Sequence, residues 1–448
     1  MCKNSDDEGF DLQSNSLIDP KNTNARFVFL TLACFICVGS YFAYNNPAAL
    51  ESPIISVINI QALDLDLVSF NMLYSVYSLP NIFLPLFGGI LTDNFGVRSV
   101  LMFFSVLVTI GQFLFYLGVS IKSVSLSLLG RGIFGCGGEV LELAQTIIMI
   151  KWFTGKELSM TFGVTSMFSL LGSVANDNIE PVICENYGLG VALLVSLFLC
   201  IGSLLVTILV INIDKSREVQ THVPTASGFR LRNLSSLDRI FFLLMANAVC
   251  MGCSIYSFSY IASGFLQDRF GFSTVEAGSI MSVSFFVSAF LSPIVGVLAD
   301  KYGKRAGMMI LANGLVLFFQ GFWMWFGDNV GIGFIIVAFV ELGIAFSIYV
   351  TVFWSSLACV VSEQVSGTAF GLVYSVENLA LVVVPIVVGF IQENTQRDKG
   401  YFWVNGFLAT LSVFGLACAS LVYFIDIQGK GVLNRAVSKD LRSMERLD

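Results

Sequence analysis

Five ionisable residues sit where a chain this apolar can least accommodate them. Glu139 and Glu142, then Glu341 and Glu377, interrupt runs of Val, Leu, Ile, Phe, Ala and Gly, and Arg131 is the single cation in such a run. A charge at mid-membrane costs about 2.5–3.5 kcal/mol on insertion scales, so such residues commonly face a cavity or one another. The types are not those of a catalyst. No nucleophile–histidine pair is available, because the chain's one histidine, His222, lies in a polar stretch. The glycines of 130–138 have no soluble strand–turn–helix around them and cannot form a phosphate cradle. What four carboxylates against one cation can do is bind a positively charged or amine-bearing solute. Glu139, Glu341 and Glu377 fall near the centres of their runs, and Glu142 lies one turn beyond Glu139. Tyr41, Tyr44, Asn46, Asn71, Tyr74, Trp354 and Asn378 are uncharged candidates for the lining of the same site. Each of these residues, the glutamates included, is also compatible with a hydrogen bond between packed helices.

The elements that must position them are membrane helices. Of 448 residues, 56% are hydrophobic and 12% charged, against about 25% charged in soluble domains. About 20 apolar residues span a bilayer, and twelve such runs occur: 26–49, 69–91, 99–118, 125–150, 158–177, 189–211, 238–263, 272–298, 306–326, 331–358, 368–392 and 402–425. They divide the chain into a tail (1–25), a six-helix half (26–211), a linker (212–237), a second six-helix half (238–426) and a second tail (427–448). Residues 1–25 are polar and acidic, so no cleavable leader is expected there. Of the 24 Lys and Arg, 19 fall on the side that holds both tails and the linker. Four (Lys122, Arg269, Arg397, Lys399) fall on the other, which sets both termini in the cytoplasm. The net charge of −7 lies in tails and loops, and no basic patch points to nucleic acid. Cys34/Cys37 and Cys250/Cys253 have metal-ligand spacing but lie inside the runs, where small buried side chains are the ordinary use of cysteine. No metal or cofactor is expected, and the chain does not read as an enzyme.

One stretch occurs twice. Gly89-Ile-Leu-Thr-Asp93-Asn-Phe-Gly96-Val-Arg98 recurs as Gly296-Val-Leu-Ala-Asp300-Lys-Tyr-Gly303-Lys-Arg305, 207 residues later. A polar turn repeated at half-chain spacing indicates an internal duplication. Gly96 and Gly303 fit a tight turn, and Asp93 and Asp300 fit the positive end of a neighbouring helix. A weaker echo joins the first helices of the halves, Cys37 to Tyr44 against Cys253 to Tyr260.

The repeated loop resembles the G-x-L-x-D-x-x-G-x-[RK] loop of the major facilitator superfamily. That resemblance implies an all-α membrane protein with twelve transmembrane helices in two pseudo-symmetric halves, working by alternating access. It further implies a latch in which Asp93, Arg98, Asp300 and Arg305, with a structural Arg131 early in the fourth helix, hold the outward-facing state. Within the superfamily, Gly39 to Leu50, Leu73 to Asn81, Gly137-Gly138-Glu139, Trp152 to Leu158, Gly367 to Gly371 and Glu377-Asn378-Leu379 resemble a branch of lysosomal dipeptide uniporters. The resemblance implies export of dipeptides, cationic ones included, to the cytosol from a lysosomal or vacuolar membrane, with the plasma membrane as the alternative. It places the amine reader at Glu139. The branch's carboxylate-reading arginine falls at Leu170, before Leu171-Gly172-Ser173. It also implies a glycosylated luminal accessory membrane protein, while this chain's one sequon, Asn233-Leu234-Ser235, lies in the linker. Leu17-Ile18 resembles a dileucine sorting signal. Two other readings stay open: a transporter of a cationic amino acid, sugar or organic cation, and a non-transporting scaffold or receptor on the same fold.

Overall fold

The computed structural model describes residues 23–50, 53–54, 73, 76–153, 157–221, 237–272, 274–326, 330–362, 365–393, 395, 397–429 and 431–435. His222, Leu17-Ile18 and the Asn233 sequon lie outside them, as do Asn71 and Tyr74.

Among the described residues, twelve helices of twelve residues or more follow in order: α1 (Thr23–Tyr44), α2 (Leu84–Phe95), α3 (Val97–Ser120), α4 (Val124–Phe153), α5 (Leu158–Tyr187), α6 (Leu189–Thr221), α7 (Arg239–Phe270), α8 (Thr274–Tyr302), α9 (Arg305–Trp325), α10 (Ile332–Val360), α11 (Ser366–Glu393) and α12 (Arg397–Gln428). Eleven of these, all but α2, are long and apolar enough to cross a membrane. No strand occurs among the described residues, as expected where every backbone polar group must be satisfied within its own segment. Phe103, Phe198, Phe318, Ile386 and Phe424 point outward and are exposed, forming an apolar surface that suits hydrocarbon rather than water.

Three elements depart from the hydropathy reading, each for a local reason. Before α2 the chain turns through a 3₁₀ segment, Leu79–Ile82. Pro80 and Pro85 each lack the N–H that a continuous helix would use, and α2 restarts only at Leu84. α5 runs to Tyr187, past the expected end at 177, and two of the polar residues that lowered its hydropathy, Asn176 and Glu180, are buried in a network described below. α6 continues to Thr221, into the segment read as linker.

The halves meet through two equivalent pairs, α2 with α11 and α8 with α5. At both, a glycine of the repeated loop's helix presses onto backbone. A Cβ on Gly89 would stand 2.1 Å from the carbonyl oxygen of Gly367, and one on Gly296 would stand 2.4 Å from that of Ser159. Both contacts lie at the ends carrying the repeated loops, so the bundle is closed on the side assigned to the cytoplasm. Gly96 and Gly303 take φ of +83° and +67°, positive values that glycine adopts readily at the tight turn expected of the repeat.

Candidate functional site

A cavity of about 300 Å³ lies between the halves. Its walls come from α1, the 3₁₀ segment before α2 and α4 on one side, and from α7, α10 and α11 on the other. Of the expected lining, Glu139, Glu377, Tyr41, Tyr44, Trp354 and Asn378 are brought together here. Glu142 joins them. Two glycines precede Glu139 on α4, and each admits a neighbour. Gly137 faces Val108 of α3, and Gly138 admits the hydroxyl of Tyr77. Asn378 lies beside the Glu139 carboxylate, and the nearest other charges are Glu142 and Glu377. Glu142 accepts from the Tyr374 hydroxyl at 3.3 Å, with Tyr41 also within reach. Glu377 accepts from the Tyr349 hydroxyl at 3.3 Å, and Gly252 of α7 leaves the space its carboxylate occupies. Trp354 stacks on Tyr374 with ring centres 4.5 Å apart.

Tyrosine is the feature that sequence reading underestimated. Tyr77, Tyr256, Tyr260, Tyr349 and Tyr374 line the cavity alongside Tyr41 and Tyr44. The echo of Cys37–Tyr44 in Cys253–Tyr260 was the available signal. Under it Ser40 matches Tyr256 and Tyr44 matches Tyr260, and all four face the cavity from α1 and α7.

Other candidates stand elsewhere. Asn46 is fully buried beyond the end of α1. Its side-chain oxygen accepts from Asn176 of α5 at 2.7 Å and from Ser196 of α6 at 2.9 Å, and the Ser196 hydroxyl also bonds Glu180. This network absorbs Asn176 and Glu180, two of the polar residues that interrupt the apolar run of α5. Glu341 on α10 is not in the cavity, and both its carboxylate oxygens are buried without a hydrogen-bond partner in the structure.

Arg131 was expected with the latch, but it is fully buried near the start of α4 and away from both repeated loops. It donates to the carbonyls of Ala43 and Tyr44 at 3.2 and 3.1 Å, and its guanidinium lies among the rings of Tyr44, Tyr77, Phe115 and Phe134. It ties α4 to the last turn of α1, whose carbonyls have no partner within the helix. Arg131→Met is therefore expected to lower stability by about 3 kcal/mol, since it strands buried acceptors. A melting curve should fall by several degrees while solute affinity of the folded fraction is kept.

The repeated acidic residues behave as a pair. Asp93 accepts from the backbone N–H of Gly367 at 3.0 Å and of Thr368 at 2.7 Å, and from the Thr368 hydroxyl. Asp300 accepts from the N–H of Ser159 at 3.1 Å and of Met160 at 2.8 Å. Each carboxylate thus sits on the first turn of a helix in the opposite half, where unpaired N–H groups and the helix dipole favour an anion. Burial pushes the Asp93 carboxyl up, and the bonds from Thr368 and Gly367 oppose that shift. The arginines of the repeat differ. Arg305 bonds Asp300 at 2.8 Å and the Ser159 hydroxyl at 3.0 Å. Arg98 instead bonds Asp214 of α6 at 2.7 Å, which Trp152 of α4 also engages at 2.7 Å.

The sequence profile described as Major Facilitator Superfamily matches residues 28–385 and 244–443. The lysosomal dipeptide transporter MFSD1 of Mus musculus is 33% identical, over 91% of this chain and 86% of that protein. Its Homo sapiens counterpart is 32% identical over 94% of this chain and 90% of that one. Among solved structures, the transporter FucP in its outward conformation superposes with a TM-score of 0.70 at 14% identity, covering 89% of this chain and 99% of that chain. An outward-facing bacterial homologue of ferroportin gives 0.71 at 10% identity, with 89% and 99% covered. With two equivalent half-to-half contacts, a cavity between the halves and these likenesses, the chain belongs to the major facilitator superfamily and is a secondary transporter rather than an enzyme.

Proposed function

We propose that this transporter is a facilitator of the lysosomal membrane that moves small amine-bearing solutes, dipeptides among them, from lumen to cytosol. The observation that carries the reading is Glu139 in the central cavity, with Glu142 and Glu377 as its nearest charges. A solute ammonium gives these carboxylates a counter-charge that no described lining residue supplies, and a charge-assisted bond in a desolvated site is strong. The compartment and the dipeptide come from the relatives named lysosomal dipeptide transporters. In this reading Asp93 and Asp300 hold the cytoplasmic ends together while the cavity serves the lumen. Release of both lets the halves rock and the cavity open inward. A glycosylated luminal accessory protein belongs to the reading, because this chain's own sequon is in the linker, on the cytoplasmic side.

Uptake into proteoliposomes is the test. Dipeptides and basic amino-acid derivatives should be taken up saturably, and sugars and organic anions should not. Saturable uptake confined to sugars or anions would overturn the proposal.

A further inference from the structure

We infer that the central cavity prefers solutes with two amino groups and no free carboxylate, such as a diamine or the amide of a basic amino acid. This rests on the amine-reading site proposed above and narrows it. The carboxylates occupy opposite walls: Glu139 and Glu142 come from α4 of the first half, and Glu377 comes from α11 of the second. A solute with an ammonium at each end can give each wall its own counter-charge, which a solute with one ammonium cannot.

Those walls offer an anion neutral donors but no counter-charge. No Lys or Arg lines the cavity among the described residues. Residues 51–78, few of which are described, contain no Lys or Arg in the sequence, and their charges are Glu51, Asp64 and Asp66. Arg131 is held by Ala43 and Tyr44 and surrounded by rings, so it is committed to the end of α1. Leu170, on α5, is packed against the apolar core. Of the tyrosine hydroxyls, those of Tyr349 and Tyr374 already donate to Glu377 and Glu142. A carboxylate entering this space would leave water for a site with three like groups and no counter-charge, which is costly on both counts. The tyrosine rings carry the opposite preference, since aromatic faces attract ammonium groups.

The experiment is ligand-induced thermal stabilisation of the purified full-length protein with a matched set: lysinamide, lysine, alaninamide and Nα-acetyl-lysinamide, at equal ionic strength. Lysinamide should stabilise at a concentration at least about tenfold lower than lysine, which has a carboxylate in place of the amide, and than alaninamide, which lacks the second amine; tenfold is a modest difference in binding free energy. In Glu377→Gln the advantage of lysinamide over alaninamide should shrink severalfold. Lysine binding as tightly as lysinamide, with the acetylated compound weaker than both, would overturn this inference and leave the amine-reading site standing. Equal binding of all four would overturn the amine-reading site as well.

Discussion

Glu139→Gln is expected to abolish the thermal stabilisation that amine-bearing solutes give the protein, while the unliganded protein melts within a few degrees of wild type. Glutamine keeps the shape and the contact with Asn378, which lies beside the carboxylate, and removes only the charge. Its two neighbouring carboxylates have their own tyrosine donors: Tyr374 serves Glu142 and Tyr349 serves Glu377. In the proposed reading Glu139 is the carboxylate that depends most on the solute for a partner. Truncating one side of a buried, hydrogen-bonded charge pair costs about 2–5 kcal/mol, or roughly 30-fold to several-thousand-fold in affinity. Glu142→Gln should cost less, because the Tyr374 hydroxyl can still donate to the amide oxygen. The readout is the midpoint concentration for stabilisation in each variant. Equal midpoints for wild type and Glu139→Gln would make Glu139 a packing residue and remove the main support for amine recognition.

Asp300→Asn is expected to bias the transporter towards its inward-open form and to slow transport far more than Asp93→Asn does. The two residues occupy equivalent places on helix starts, but their surroundings differ. Asp300 also neutralises Arg305, which is 2% exposed; removing one partner of a buried pair costs about 3–5 kcal/mol. Asp93 is half-buried, and the arginine of its repeat is engaged with Asp214 instead. Cys359 of α10 lies close enough to Asp300 and Arg305 to feel their charges. With the remaining cysteines replaced, a water-soluble maleimide should label Cys359 faster in Asp300→Asn than in Asp93→Asn. Matching labelling rates and matching transport rates in the two variants would refute the asymmetry.

The repeated loop was legible because its chemistry is local. A glycine for a tight turn and an acid for a helix start can be read from ten residues, and both recur. The partners of that acid could not be read. Gly367, Thr368, Ser159 and Met160 lie in the opposite half, and only the crossing of α2 with α11 and of α8 with α5 brings them near. The same limit explains Arg98 and Arg305, alike in the sequence and unlike in their contacts. In the cavity, charge was informative because a membrane glutamate is rare enough to require a reason. Tyrosine was not, since it serves equally in packing and at interfaces. Five of the seven cavity tyrosines therefore passed unnoticed. Asn46 was misplaced in the other direction. A polar residue in an apolar run can be held by two others, here Asn176 of α5 and Ser196 of α6, and hydropathy does not distinguish that network from a cavity wall.

The proposed cycle reads an amine at Glu139 and exposes one cavity to each side in turn. Counterflow tests it most directly. Proteoliposomes are loaded with unlabelled lysyl-alanine amide, diluted into a trace of the labelled compound, and compared for wild type and Glu139→Gln reconstituted in equal folded amounts. A transient overshoot of label is expected in the wild-type vesicles and none in the variant. An overshoot of equal height in both would contradict it.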